Sequence, residues 1–377
     1  MPILQRYIDK EISMLKQELE KRDLPKLPSR EEMIEIIQRE EFGYLPTPEK
    51  YTVTASAPTV IERRYNCGAV THSFVDLTVE VGGGSHTFRV DRFLHVDGNK
   101  RPLVILNNIH PADTSPYFSK EELSEYDVDY LVFAYKDVTS DDGDFTTGLA
   151  PLLLPNGRDT DTACGKIGIW AWAAMRVLDY GLTLKGTDPD NVAIAGHSRL
   201  GKTAAFTAMM DERFKFAFSN AAGCAGDSLS RGSSGFGREV PRDKKRGELI
   251  EDITESFPYW FCKNYLKYRK TNIPEGFDQH FLIGAIAPRF VMIGSCDYDA
   301  WADPKSQQLC ALAASEAWER EGYSGLIGGE ERYLGSGEGL IEGRVGYFKI
   351  HSLHMLSRHS WRFFLSFIEK HRYEKIN

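Results

Sequence analysis

Ser198 stands in the run Ala193-Ile194-Ala195-Gly196-His197-Ser198-Arg199-Leu200-Gly201-Lys202. An apolar strand pattern enters a turn with glycine on both sides of the serine, and a helical pattern begins at once. Glycine there keeps Cβ atoms out of a bend where strand and helix approach closely. The serine is then held in a strained conformation with its hydroxyl presented at the strand end. The backbone N–H of Arg199 would face a developing oxyanion, at the positive end of the following helix. The spacing is G-x-S-x-x-G, one residue longer than the commoner G-x-S-x-G. The plain alternative is a Gly-Ser turn that only caps a helix.

A serine nucleophile needs a base and an acid that orients it. On such an elbow the chain order is serine, acid, histidine. An apolar strand ending at Gly294 leads into Ser295-Cys296-Asp297-Tyr298-Asp299-Ala300-Trp301-Ala302-Asp303-Pro304, which places three carboxylates where the acid belongs. Just before the final helix stands His351-Ser352-Leu353-His354, and either histidine would serve as base.

The elements that must position these groups follow from periodicity. Ile3, Leu4, Tyr7, Ile8, Ile12, Leu15 and Leu19 share one helical face. Ser29-Arg30-Glu31-Glu32 is a capping box that opens a second helix, Met33 to Glu40, stopped by Gly43 and Pro46. Tyr51–Ala55, Phe74–Val79 and Thr87–Val90 read as strands, the last two separated by a turn at Gly82-Gly83-Gly84. Apolar strands and helices then alternate. The strands are Leu103–Leu106, Tyr130–Ala134, Asn191–Ala195, Phe216–Ser219 and Arg289–Gly294; the helices are Ile167–Tyr180, Lys202–Met210 and Trp361–Lys370. This alternation predicts an open, mostly parallel α/β sheet flanked by helices. Taken with the Ser198 elbow, the expected fold is an α/β-hydrolase three-layer sandwich with N-terminal helical and antiparallel β additions. Residues 1–41 are expected to be a helical extension packed on a single catalytic domain over 42–377. Gly232–Gly237 and Gly325–Gly343 read as loops, the second long enough to suggest function.

Composition narrows the partners. Of 377 residues, 42% are hydrophobic and 12% aromatic, enough for a large core. The net charge of −8 argues against nucleic acid or anionic lipid as the main partner. No run of eighteen apolar residues is present, so no membrane span is expected. The first residues lack an apolar signal region, so the cytoplasm is expected. The six cysteines include no CxxC pair and are expected to be free and buried. No zinc-type spacing, HExxH motif, nucleotide-binding glycine motif or P-loop occurs, so neither metal nor cofactor is expected.

The ordered motifs resemble the glucuronoyl esterases of carbohydrate esterase family fifteen, particularly the bacterial branch. Phe42-Gly43-Tyr44-Leu45-Pro46, Trp170-Ala171-Trp172 with Arg176 and Asp179-Tyr180, and the Ser-Arg-x-Gly-Lys run at 198–202 carry the likeness. Phe257-Pro258-Tyr259-Trp260-Phe261-Cys262, Asp278-Gln279-His280, Ala287-Pro288-Arg289, Asp299–Pro304 and His354 followed by Trp361 complete it, over roughly residues 40–370. The resemblance implies Ser198 as nucleophile, Arg199 as oxyanion donor and His354 as base, eight positions after Gly346 and seven before Trp361. It implies Lys202, Trp301 and Glu239 as substrate contacts. Many members carry the acid as Glu after the next strand; here Asn220-Ala221-Ala222-Gly223 has alanine in that place. Some bacterial members have an Asp at the late-strand position, which matches Asp299, so the resemblance implies the acid there, with Asp297 next and Asp227 after it.

The expected function is a serine carboxylic-ester hydrolase that cleaves small or oligosaccharide esters of (4-O-methyl-)glucuronic acid through an acyl-enzyme. A carbohydrate acetyl esterase is the alternative of like chemistry. A saccharide-binding pseudo-esterase, suggested by Ala221, is the alternative of another class.

Overall fold

The computed structural model describes residues 15, 17–232 and 246–376. Eleven strands form one sheet: β1 Tyr51–Ala55, β2 Thr59–Tyr65, β3 Val70–Val81, β4 Gly84–His95, β5 Arg101–Asn108, β6 Asp129–Ala134, β7 Thr187–His197, β8 Phe216–Asn220, β9 Phe290–Cys296, β10 Glu338–Leu340 and β11 Val345–Ile350. Their order is β1-β3-β4-β6-β5-β7-β8-β9-β11-β10, with β2 on β3. The six strands from β6 through β5, β7, β8 and β9 to β11 pair in parallel. The flanks, β1–β4 and β10, pair antiparallel.

The parallel strands read as continuous apolar runs because both faces are covered. Alternate residues feed two separate cores. Leu103, Ile105, Val192, Ile194, Val291 and Ile293 face one; Val104, Leu106, Ala193, Ala195, Phe290 and Met292 face the other. The first core is covered by α1 Arg30–Ile37, α2 Lys166–Gly181, α3 Arg199–Met210 and α4 Pro304–Ala314. The second is closed mainly by α5 Arg358–His371, through Trp361, Phe364, Leu365, Phe367 and Ile368. Helices on both faces of a mostly parallel sheet make the three-layer sandwich of an α/β-hydrolase.

Ser29 caps α1, its Oγ accepting from the Glu32 N–H at 3.2 Å. Leu27, Met33 and Ile37 bury into the first core, and Arg30 donates to the Ala285 carbonyl at 2.9 Å. Of the earlier helical face, Ile3, Leu4, Tyr7, Ile8 and Ile12 lie outside the described residues; Leu15 is buried. All six cysteines are free, and Cys67 departs from expectation in being exposed.

The glycine-rich stretch Gly325–Gly343 is not the open loop expected. It contains β10, and its backbone is held by Gln308, whose Nε2 donates to the Gly329 and Arg332 carbonyls at 3.0 and 2.7 Å. A three-residue edge strand containing glycine pairs through backbone atoms, which leaves no alternation to read.

Candidate active site

The parallel strands bring Ser198, Asp299 and His354 to one sheet edge, their carboxyl ends. β7 ends at His197, and Ser198 turns sharply, with φ 60° and ψ −125°. A non-glycine residue there stores about 1–3 kcal/mol of strain, which the surroundings must hold in place. They do so by backbone contacts: the Ser198 N–H donates to the Asn220 carbonyl at 2.9 Å, and Gly201 and Lys202 donate back to the Ser198 carbonyl. A Cβ at Gly196 would lie 1.9 Å from the Leu200 carbonyl oxygen, so only glycine fits. Ser198 itself is half-buried. α3 starts at Arg199, and the N–H groups of a first helical turn have no partner within the helix.

The carboxylate that meets His354 comes from the loop after β9. Asp299 is 6% exposed, and its Oδ2 accepts from His354 Nδ1 at 2.5 Å. Its Oδ1 also accepts the Ala302 N–H at 3.3 Å. With Nδ1 donating to a carboxylate, His354 presents Nε2 as a lone pair, the tautomer a general base requires. The His354 ring lies against that of His197, centroids 4.5 Å apart, which puts it beside the residue preceding Ser198. Burial, with the His354 ring second, pushes His197 well below the ordinary histidine range. A neutral His197 is what a neighbouring imidazolium intermediate tolerates.

The other carboxylates have separate partners. Asp297 Oδ2 lies 3.6 Å from His351 Nδ1, and that histidine side chain is 70% exposed. Asp227 is fully buried and pushed upward by that burial. It accepts from Ser219 Oγ at 2.8 Å, the Gly223 N–H at 2.7 Å and Gln307 Nε2 at 2.8 Å, fastening the turn after β8. Ala221 in that turn is buried at φ 49°, and its N–H donates to the Gly294 carbonyl at 2.8 Å.

Lys202 requires correction. It was expected to meet sugar hydroxyls, yet it is 3% exposed and its Nζ donates to the Ala222 carbonyl. One turn along α3 from Ser198, it points between the helix and the 222–226 turn, where a Cβ at Gly226 would come within 2.9 Å of its Cγ. Trp301 is half-buried, with the Arg246 guanidinium 5.5 Å from its ring centroid. Glu239 lies outside the described residues.

Arg199 forms an ion pair with Asp141 and lies over the rings of Trp260 and Phe257, at 4.6 and 5.2 Å. Sequence reasoning missed Asp141, which stands in a loop of unremarkable acidic and small residues. It also missed Asn220 as a tie. Asn220 Nδ2 donates to His197 Nδ1 at 2.9 Å and to the Met355 carbonyl at 3.0 Å, so it joins the elbow to the histidine loop.

An α/β-hydrolase fold with serine, histidine and aspartate gathered at the carboxyl edge defines the class. Residues 78–322 match the family described as glucuronyl esterase, fungi, and the chain belongs to this family. It is similar to a carbohydrate esterase from an unknown prokaryotic organism, 33% identical over 207 residues, which span 55% of this chain and 44% of that protein. It is also similar to the 4-O-methyl-glucuronoyl methylesterase of Podospora anserina, 27% identical over 297 residues, 77% of this chain and 55% of that one. The chain thus spans about half the length of these curated relatives. Among solved structures, the glucuronoyl esterase from Solibacter usitatus shares the fold, with a TM-score of 0.76 at 24% identity, over 90% of this chain and 91% of that one. The glucuronoyl esterase from Teredinibacter turnerae does so at a TM-score of 0.77 and 21% identity, over 91% and 84%.

Proposed function

We propose that this chain is a serine carboxylic-ester hydrolase that cleaves esters of 4-O-methyl-glucuronic acid and related uronic acids. The observation that carries the reading is the 2.5 Å hydrogen bond from His354 Nδ1 to Asp299, with the His354 ring packed beside the Ser198 elbow. The names of the relatives supply the substrate class.

In this reading Ser198 Oγ attacks the ester carbonyl while His354 Nε2 takes its proton. The tetrahedral oxyanion is met by the Arg199 guanidinium and by backbone N–H groups at the start of α3. Collapse expels the alcohol, which receives the proton from His354, and leaves an ester between Ser198 and the uronic acid carbonyl. Water, deprotonated by His354, attacks that ester and releases the acid, and the proton returns to Ser198. Asp299 holds the imidazole and stabilises its charged form throughout.

The sugar is the acyl group here, whereas in an acetyl esterase it is the leaving alcohol. Hydrolysis of methyl 4-O-methyl-glucuronate is therefore compared with release of acetate from an acetylated xylo-oligosaccharide. The expected result is turnover of the first, abolished by Ser198→Ala to below about one thousandth of wild type. Release of acetate alone would reverse the assignment of acyl and alcohol sides. Binding of saccharide with no turnover of either ester would favour the pseudo-esterase suggested by Ala221.

A further inference from the structure

We propose that Asp141 is a positioning residue for Arg199, and that the loop carrying it is a rigid mount built for that purpose. The inference rests on the reading of Arg199 as oxyanion donor.

Asp141 follows β6 and the short helix Tyr135–Val138. The loop is gathered around one buried cation. Lys166, the first residue of α2, is 0% exposed, and its Nζ donates to Thr139 Oγ1 at 2.9 Å, Ser140 Oγ at 3.3 Å and the Asp144 carbonyl at 2.5 Å. An ammonium with three donors inside a ring of oxygens organises the loop as a bound cation would. Asp142 and Asp144 face outward and close their own local turns. Asp141 turns inward, its side chain only 7% exposed.

There the carboxylate is saturated with donors. Oδ2 accepts from Tyr135 Oη at 2.8 Å and from Arg199, and Oδ1 accepts from Trp260 Nε1 at 2.8 Å. Its backbone carbonyl accepts from Tyr259 Oη at 3.0 Å. Trp260 stacks on Phe257, centroids 4.0 Å apart and planes within 3°, and Arg199 lies over both rings. A planar guanidinium gripped at one nitrogen and laid on an aromatic shelf has lost most of its rotational freedom. It keeps N–H donors on its other nitrogens for an oxyanion.

A charge-neutralising carboxylate beside a catalytic cation weakens its field, so a purely electrostatic design would omit it. What the carboxylate supplies is placement. An oxyanion donor acts only when it is preorganised, and misplacement by about 1 Å costs on the order of 10²-fold in rate.

The test uses the full chain and methyl 4-O-methyl-glucuronate. Asp141→Asn is expected to lower kcat about 10–100-fold, with KM changed less than about threefold, and Asp141→Glu to recover part of the loss. Trp260→Phe, which keeps the carboxylate but removes one of its donors, is expected to fall between wild type and Asp141→Asn. In an Arg199→Ala background Asp141→Asn should add less than about twofold, because nothing is left to position. Thermal melting of each variant separates misfolding from misplacement. Full kcat in Asp141→Asn, or losses that multiply in the double variant, would overturn the positioning role while leaving the esterase reading intact. A wild type whose Ser198 is not labelled by a serine-directed phosphonate would overturn both.

Discussion

Asp299 makes a contribution that its neighbours cannot replace. Asp297 and Asp227 are as close in sequence or in chemistry, but one faces Lys349 and the exposed His351 and the other is spent on Ser219, Gly223 and Gln307. Asp299→Asn is therefore expected to lower kcat by about 10³–10⁴, since an amide no longer holds the imidazole in the tautomer that accepts the serine proton. Steady-state rates on methyl 4-O-methyl-glucuronate measure this, and a loss below tenfold would move the acid elsewhere. In the sequence, strand end and chain order point to the carboxylates after β9 as a group, and the resemblance to the bacterial branch singles out Asp299 among them. Asp141 carried no such signal. Its meaning comes from Arg199, Tyr135 and Trp260, which lie 58, 6 and 119 positions away.

Among elements, α5 does two things. It covers the second core, and its N-terminus follows the His354 loop directly; Ser357 caps it by accepting the His359 and Ser360 N–H groups. Phe364 stacks on Phe218 of β8, centroids 4.6 Å apart, both fully buried. β8 in turn ends at Asn220, which holds the elbow and the Met355 carbonyl. Phe364→Ala is expected to cost about 3–5 kcal/mol of stability from lost burial and the cavity left behind. Chemical denaturation monitored by circular dichroism reads this, and a loss under about 1 kcal/mol would mean that α5 is not a structural lid on the sheet. The hydrophobic pattern of α5 was legible over Trp361–Lys370, and its capped first turn extends the helix to Arg358. β10 was not legible, because edge pairing uses backbone groups that every residue has.

For the whole molecule, Glu41 links global stability to pH. It is 0% exposed where the N-terminal segment meets the main body, and Gln279 Nε2 donates to its Oε2 at 3.0 Å. Burial raises its pKa from 4.5 to about 8; the Gln279 hydrogen bond and the Lys202 charge oppose this, and Asp278 adds to it. Between those values the folded chain keeps a proton that the unfolded chain has released. Stability from this group is thus complete below about pH 4.5 and declines as pH rises to about 8, by up to about 1.4 kcal/mol per unit. Glu41→Gln carries no such proton, so its melting temperature should gain on that of wild type steadily from pH 5.5 to pH 8. Melting curves that shift in parallel across that range would refute the assignment. By itself the amino-acid sequence determined the layered α/β architecture, the elbow at Ser198 and the order serine, aspartate, histidine, because these depend on periodicity, on short-range turn chemistry and on the order of elements along the chain. Only the tertiary structure decided which aspartate meets His354, that Lys202 turns inward to Ala222, and that Asp141 grips Arg199. Those outcomes are set by the meeting of side chains brought together by strands far apart in the chain, where burial and hydrogen-bond competition choose among residues that look alike on paper.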